Sequence, residues 1–330
     1  MRVRITQLDG ALPNLAVLNL ASWHRSRGDE VRVTRRIERD LFEGVYDRVY
    51  ASVLFDFSAE RLRRFRAEWP GALVGGTGAG REQLGVSLTA VTGEVHRGFD
   101  YTDYPEFSAS IGYTSRGCRL RCKFCVVPQK EGRPHESSTI AEIWRGESHP
   151  RTVHLLDNDF FGQPERLWRA RIEEIAEGHF KVCLSQGINV RLITQDQARA
   201  LAQIEYRNTQ FTQRRLYCAW DNLGDESVFF RGIDRLEQAG IDPQHIMVYM
   251  LVGFDPRETW ERIWQRFSKM VSRGVRPYPM VYARERRDLR AFQRWVVMGL
   301  YRRVPWEQYH ASIKGSRCDS QRSFEWGIGT

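Results

Sequence analysis

The chain has 330 residues, 42% hydrophobic and 28% charged, enough for one large or two modest domains with a buried core. No apolar run reaches the roughly 18 residues of a membrane span, and Asp9, Asn14 and Asn19 interrupt the start of the chain, so neither a spanning helix nor a secretory leader is expected. The net charge of +9 is uneven: twelve Lys and Arg against five Asp and Glu fall in residues 271–330, a balance that suits an anion such as nucleic acid. Only five of the fifty basic residues are Lys, an Arg bias that a GC-rich genome also produces.

Residues 1–105 read as a small Rossmann-like α/β domain. Val3 to Leu8 alternates as a strand, and Asn14 to Arg27 is helical with Leu15, Val17, Leu18, Leu20 and Trp23 on its apolar side. Glu30 to Thr34 and Asp47 to Phe55 are further strands, and Ser58 is expected to cap a helix running to Trp69. A strand at 72–74 leads into Gly75, Gly76, Gly78 and Gly80, where the backbone is free either to approach a phosphate or simply to turn. Strands alternating with helices imply a parallel sheet.

Residues 106–304 form a second domain, reached through the polar, aromatic stretch 100–112. Six strand–helix units follow one another. The strands are expected at Ile111–Thr114, Thr152–Leu156, Val182–Leu184, Arg215–Ala219, Ile246–Val252 and Tyr278–Tyr282. Thr139 to Glu142 is a capping box, Thr194 opens another helix, and Glu226 to Ala239 is helical up to Gly240. Asp255-Pro256-Arg257-Glu258 is expected to open the helix that ends at Gly274. Asp288 to Arg303 is the last helix, and residues 305–330 are read as a basic tail.

The first unit of this repeat runs into Gly117-Cys118-Arg119-Leu120-Arg121-Cys122-Lys123-Phe124-Cys125. Three cysteines spaced C-x3-C-x2-C are soft donors for an iron–sulfur cluster or for zinc. A [4Fe–4S] cluster takes four ligands, so three leave one iron open to a small molecule. Zinc wants a fourth Cys or His close by, and His135 is the nearest. Three unrelated core thiols are the plain alternative. Six cysteines in all, three of them clustered, fit a reducing cytoplasm better than a disulfide scaffold.

The loop, with Phe124 before its last cysteine, resembles the C-x3-C-x-aromatic-C motif of the radical S-adenosylmethionine (SAM) superfamily. Six strand–helix units over about 111–303 suit that family's partial (β/α)6 barrel. The resemblance implies that Cys118, Cys122 and Cys125 hold a [4Fe–4S] cluster whose open iron is chelated by SAM. It also implies a reducing partner of flavodoxin or ferredoxin type. The first domain is similar in architecture to the cobalamin-binding domain that precedes many such cores. That family's D-x-H-x-x-G motif falls on Asp9-Gly10-Ala11-Leu12-Pro13, which has no histidine, so cobalamin is not expected. Residues 1–117 contain no cysteine, so the second cluster of methylthiotransferases is not expected either.

Chemistry in a strand–helix barrel sits at the C-terminal strand ends. The resemblance assigns SAM contacts there to Phe124, to Asp157, Asn158 and Asp159, to Gln186, Asn189 and Arg191, and to Gly253 and Tyr282. Asn189 suits a ribose hydroxyl, and the Arg191 fork suits a carboxylate. Tyr278 is assigned either to that site or to core packing. Trp220 and Asp221 are expected to face the substrate, Asp221 as a proton or hydrogen-bond partner. Cys318 is a candidate hydrogen-atom donor, while Cys183 and Cys218 read as small core hydrophobes. Arg287, Arg290 and Arg294 share one helix face and suit nucleic-acid phosphates, a plain solvated face being the other account. The expected function is hydrogen-atom abstraction after reductive SAM cleavage, leading to rearrangement, epimerisation, dehydrogenation or bond cleavage on a nucleobase or nucleic acid (DNA, RNA or a nucleotide). A peptide or small metabolite is the alternative substrate. A non-catalytic, metal-bound nucleic-acid-binding module is the alternative of another class.

Overall fold

Alternation along the first strand, β1 (Arg2–Gln7), decides the layering of the first unit. Val3 and Ile5 pack with Val17, Leu20 and Trp23 of α1 (Leu15–Ser26) on one face. Leu8, Ala51 and Val53 pack on the other with Leu62 and Phe65 of α2 (Ala59–Glu68) and with Trp69. Strands β2 (Glu30–Thr34), β3 (Arg48–Ser52) and β4 (Leu73–Gly75) complete a parallel sheet of order β2-β1-β3-β4, and a short α3 (Leu88–Thr92) follows. Asn14 caps α1 by accepting from Ala16 N–H at 2.9 Å. Ser58 makes no such bond at α2, because a 3-10 turn over Asp56–Ser58 already carries the chain into that helix and buries Ser58.

The computed structural model describes residues 1–80, 86–94 and 96–309, in two compact units that divide between Ser108 and Ala109. The second unit opens with β5 (Ser110–Gly112), β6 (Ser115–Arg116), α4 (Val127–Lys130), β7 (His135–Glu136) and α5 (Ile140–Ile143). It continues with β8 (Thr152–Leu155), α6 (Glu165–Glu177), β9 (Lys181–Cys183), α7 (Gln195–Ala202), β10 (Glu205–Tyr206) and β11 (Leu216–Ala219). Last come α8 (Glu226–Gln238), β12 (Ile246–Val252), α9 (Trp260–Ser272), β13 (Arg276–Val281) and α10 (Arg287–Val297).

All six strands expected in this unit are present, as β5, β8, β9, β11, β12 and β13. They form two parallel ladders, β10-β9-β8-β5 and β11-β12-β13, beside the small antiparallel pair β6–β7. Among the described residues the strands do not close into a barrel. The unforeseen two-residue strand β10 takes the outer edge of β9. Beyond the end of β9, the Ile188 N–H donates to the Tyr217 carbonyl at 2.8 Å, a single link to β11 where a ladder was expected.

The strands sort their side chains by the period of two. Val153, Leu155, Val182, Leu184, Leu216, Cys218, Trp220, Val248, Met250 and Val252 join the helices in one apolar core. Tyr217, Tyr249 and Tyr278 take the other face, their rings 5.7 and 5.8 Å apart in sequence. Two prolines end the second ladder. The Tyr282 N–H donates to Val252 O, so the same period turns the nitrogens of Pro277 and Pro279 away from β12. Proline has no N–H to offer a further strand, which is why it is tolerated on an edge. Gln293 of α10 covers the outward Pro279 carbonyl with a 2.8 Å bond.

The helix α9 begins at Trp260 with Thr259 as its cap, later than expected, because Glu258 is drawn inward to Arg266. The stretch read as a tail begins inside the fold: Trp306 packs against Trp260, Phe292 and Trp295. Among the described residues no helix is long and apolar enough to cross a membrane.

Candidate metal centre at the strand ends

The cysteine loop leaves β6 at Gly117, and its neighbours fix it residue by residue. Gly117 has φ +86°, and a Cβ there would meet the Arg133 carbonyl oxygen at 2.4 Å. The Gly117 N–H donates to Glu131 Oε2 at 3.0 Å, Arg116 donates to Glu131 Oε1 at 2.6 Å, and the Cys118 N–H donates to Gly132 O at 3.1 Å. Cys118, Cys122 and Cys125 are each half-buried and free of disulfides. Burial pushes the Cys118 thiol up to about 11, with Asp159, Cys125 and Cys122 adding to it. Burial likewise raises Cys125. A soft metal binds cysteine as the thiolate, so any binding at raised thiols such as these is tied to proton release. Among the described residues no three His, Cys, Asp or Glu side chains stand grouped as a single-ion site, and exposed His135 does not join the cysteines.

The acidic run after β8 supports this loop. Asp157 is buried and accepts from Thr114 N–H at 3.0 Å, Thr114 Oγ1 at 2.5 Å, Ser115 N–H at 2.6 Å and Ser115 Oγ at 3.0 Å. Burial pushes its carboxyl up while these four bonds pull it down. Asp159 is fully buried and holds the Arg119 guanidinium through two bonds, of 2.7 and 2.9 Å, and the Arg119 N–H at 3.1 Å. Both carboxylates thus hold the cysteine loop in place. Half-buried Asn158 lies between them, its Nδ2 3.3 Å from Glu131 Oε2.

Beyond β9 the chain leaves the sheet. Val190–Leu192 forms a 3-10 turn, against which α8 packs so closely that a Cβ on Gly232 would lie 2.1 Å from the Val190 carbonyl oxygen. The turn brings Arg191 to the cysteines: Nη2 is 3.8 Å from Cys122 Sγ, and Nη1 is 2.6 Å from Asp225 Oδ2. Among the described residues, both amide atoms of Asn189 are buried without a hydrogen-bond partner. Such an amide is costly to leave unmatched. Gln186 lies half-buried in the same connection.

At the end of β11 the strand period separates the two expected residues. Trp220 turns into the helix core, stacked on Phe229 at 5.0 Å, and so does not take the substrate-facing position expected of it. Asp221 turns the other way and accepts from Leu251 N–H at 2.8 Å. Burial raises its carboxyl against the pull of that bond, Arg266 and Arg191. Buried Arg266 clamps the ends of β11 and β12, donating to Trp220 O at 3.2 Å, Asp221 O at 3.1 Å and Leu251 O at 3.0 Å. It also pairs with Glu258, whose Oε2 accepts from Gly253 N–H at 2.6 Å. Phe124 meets Phe254 at 5.5 Å and Phe254 meets Tyr282 at 5.0 Å, so three edge-on rings run from the cysteine loop across the ends of β12 and β13. Tyr278 is buried beside Tyr249, whereas Tyr282 is half exposed.

On α10, Arg287, Arg290 and Arg294 are exposed, while Leu289, Phe292, Trp295 and Val296 are buried. Cys318 lies outside the described residues.

In the first unit, the crevice that this strand order creates at the ends of β1 and β3 is occupied by the chain itself. Asp9 accepts from the Leu54 and Phe55 N–H groups at 2.8 and 2.9 Å. Gln7 Nε2 binds the Asp9, Gly10 and Leu12 carbonyls at 2.9 Å each, and Arg35 and Arg61 bind others of the same loop. Gly76 and Gly78 lie against the Val53 and Phe55 backbone, and the Gly78 N–H donates to Val53 O at 3.0 Å. These residues do not fit a corrin ligand or a phosphate at that crevice.

Sequence reasoning missed Glu131, Asp225, Phe254 and Arg266. Arg266 left a trace, a charge among Ile263, Phe267 and Met270 on the buried stripe of α9. The others look like ordinary loop residues until their distant partners are known. Comparison with known protein families, curated proteins and solved structures finds no match to this chain.

Proposed function

We propose that the chain is a radical SAM enzyme, with Cys118, Cys122 and Cys125 holding a [4Fe–4S] cluster and SAM completing it. The observation that carries this reading is one loop of three free thiols, anchored by buried Asp159 and by Glu131 at the C-terminal ends of parallel strands. The donor set is chemically apt: soft sulfur, three ligands, one position left open. The amide of Asn189, without a partner among the described residues, supports it, since a ribose diol or purine edge presents the donor and acceptor that amide lacks. When bound and reduced by one electron, such a cluster breaks the C5′–S bond of SAM and yields a 5′-deoxyadenosyl radical that removes a hydrogen atom from substrate.

The chain's own residues bind, orient and exclude water. Phe124, Phe254 and Tyr282 offer a ring-lined wall for a base. Asp221, at the end of β11, is read as a proton or hydrogen-bond partner for the substrate. The six strands β5, β8, β9, β11, β12 and β13 are read as those of a partial barrel, loosened between β9 and β11. The exposed arginines of α10 favour a nucleobase or nucleic acid as substrate over a peptide or small metabolite, and the family resemblance implies an electron carrier of flavodoxin or ferredoxin type as reductant.

Anaerobic reconstitution with iron and sulfide tests the assignment. Wild-type protein is expected to take up about four irons per chain and to form 5′-deoxyadenosine from SAM under dithionite. The Cys118→Ala/Cys122→Ala/Cys125→Ala variant is expected to do neither. Stoichiometric zinc instead of iron, or 5′-deoxyadenosine from the triple variant, overturns it. Zinc together with nucleic-acid binding supports the non-catalytic module.

A further inference from the structure

Resting on that assignment, we infer that Arg191, held by Asp225, is a positioning residue that sets the reduction potential of the cluster through the Cys122 sulfur. Arg191 forks. Nη1 is fixed on Asp225 Oδ2 at 2.6 Å, and Nη2 reaches Cys122 Sγ at 3.8 Å. Its side chain is 23% exposed, so water screens the contact only in part. The closely packed turn at Val190–Leu192 carries it, and Asn222, capping the 3-10 turn that bears Asp225, accepts from Gly224 N–H at 3.0 Å. Both members of the pair are therefore delivered by short, hydrogen-bonded turns.

Among the described residues, Cys122 is the cysteine that a side-chain cation reaches in this way. Of the cations inside the loop, Arg119 is engaged with Asp159, and Arg121 and Lys123 are exposed to solvent. Hydrogen bonds to cluster sulfurs and nearby cations favour the reduced, more negative state and raise its potential. The balance here has two parts. The guanidinium offsets the electron that the carrier protein adds to the cluster, and the Asp225 carboxylate moderates the guanidinium. Removing each member should move the potential in opposite directions, which simple loosening of the loop would not do.

The test is an EPR-monitored redox titration of anaerobically reconstituted protein, with iron counted in every sample. Arg191→Met, which loses both the cation and the N–H···S contact, is expected to shift the midpoint negative. Asp225→Asn, which keeps an acceptor for Arg191 but loses the anion, is expected to shift it positive. If Arg191→Met takes up no cluster, Arg191→Lys replaces it: the charge stays, the fork is lost, and a smaller negative shift is expected. Iron-replete variants at the wild-type midpoint, or shifts in the same direction, overturn this inference and leave the enzyme assignment standing. Wild-type protein that takes up no iron–sulfur cluster overturns both.

Discussion

The Arg119 guanidinium lies against the fully buried Asp159 carboxylate through paired bonds of 2.7 and 2.9 Å, and so ties the cysteine loop to the end of β8. The two partners are unequal. Arg119 is about a third exposed and can rehydrate, whereas Asp159 cannot. Asp159→Ala is therefore expected to cost about 2 kcal/mol, the loss of charged hydrogen bonds. Arg119→Ala, which strands a buried anion, is expected to cost about 3–5 kcal/mol. Urea unfolding of the two variants beside wild type checks the order. Equal costs would sink the argument.

Gly117 and Gly132 separate strain from collision. Both have positive φ, +86° and +74°, but a Cβ on Gly132 meets nothing within 4 Å while one on Gly117 strikes the Arg133 carbonyl oxygen at 2.4 Å. Gly132→Ala is expected to cost about 1–2 kcal/mol for its backbone conformation alone. Gly117→Ala is expected to cost more and to lower iron uptake, because the loop must shift where the cysteines begin. Thermal unfolding and iron content of the two alanine variants provide the comparison.

His154 makes stability sensitive to mild acid. Burial pushes its imidazole down to about 4, from about 6.5 in an unfolded chain. Above pH ~6.5 both states are neutral at this position, so its contribution is intact. Below that the unfolded chain takes up a proton that the folded chain refuses, and stability is lost as pH falls toward 4. From pH 7 to pH 5 the loss at this site is about 2 kcal/mol. His154→Gln is expected to be less stable than wild type at pH 7 but to lose that much less on acidification. Urea titrations at the two pH values decide it, and parallel losses in both proteins would refute the assignment to His154.

The α10 ridge predicts salt-dependent binding. Arg287, Arg290 and Arg294 are exposed, on the side away from buried Phe292, Trp295 and Val296, so charge reversal at the three should leave the fold intact. If they meet phosphates, the triple change to Glu should weaken binding to single-stranded and duplex nucleic acid of any sequence. It should also flatten the dependence of log affinity on log salt by about three. Uncoupled SAM cleavage should stay near wild type. Anisotropy at two salt concentrations reads this out. Absence of binding at low salt, or indifference to both salt and the reversal, would return the substrate question to peptides and small metabolites.

What the sequence determined on its own was local. Cysteine spacing singled out the loop proposed to hold a cluster, and alternation with a period of two located β5, β8, β9, β11, β12 and β13. Thr139 marked a capping box and Thr194 a helix start; both form, and Thr194 also closes a capping box, since each bond spans only three residues. Tertiary structure decided which polar groups are engaged and which are left open. Asp157 and Asp159 resemble ligand-binding residues until Thr114, Ser115 and Arg119, some forty positions earlier in the chain, take their oxygens. Glu258 resembles a helix cap until Arg266 takes it, and Trp220 resembles a neighbour of the site until the strand turns it into the core. Conversely, the residues expected to meet a ribose and a carboxylate are, among the described residues, an Asn189 whose amide atoms are buried without a partner and an Arg191 aimed at Cys122. The physical reason is one of range. Backbone period and capping depend on neighbours along the chain, whereas a buried charge or amide must find its partner wherever folding brings one.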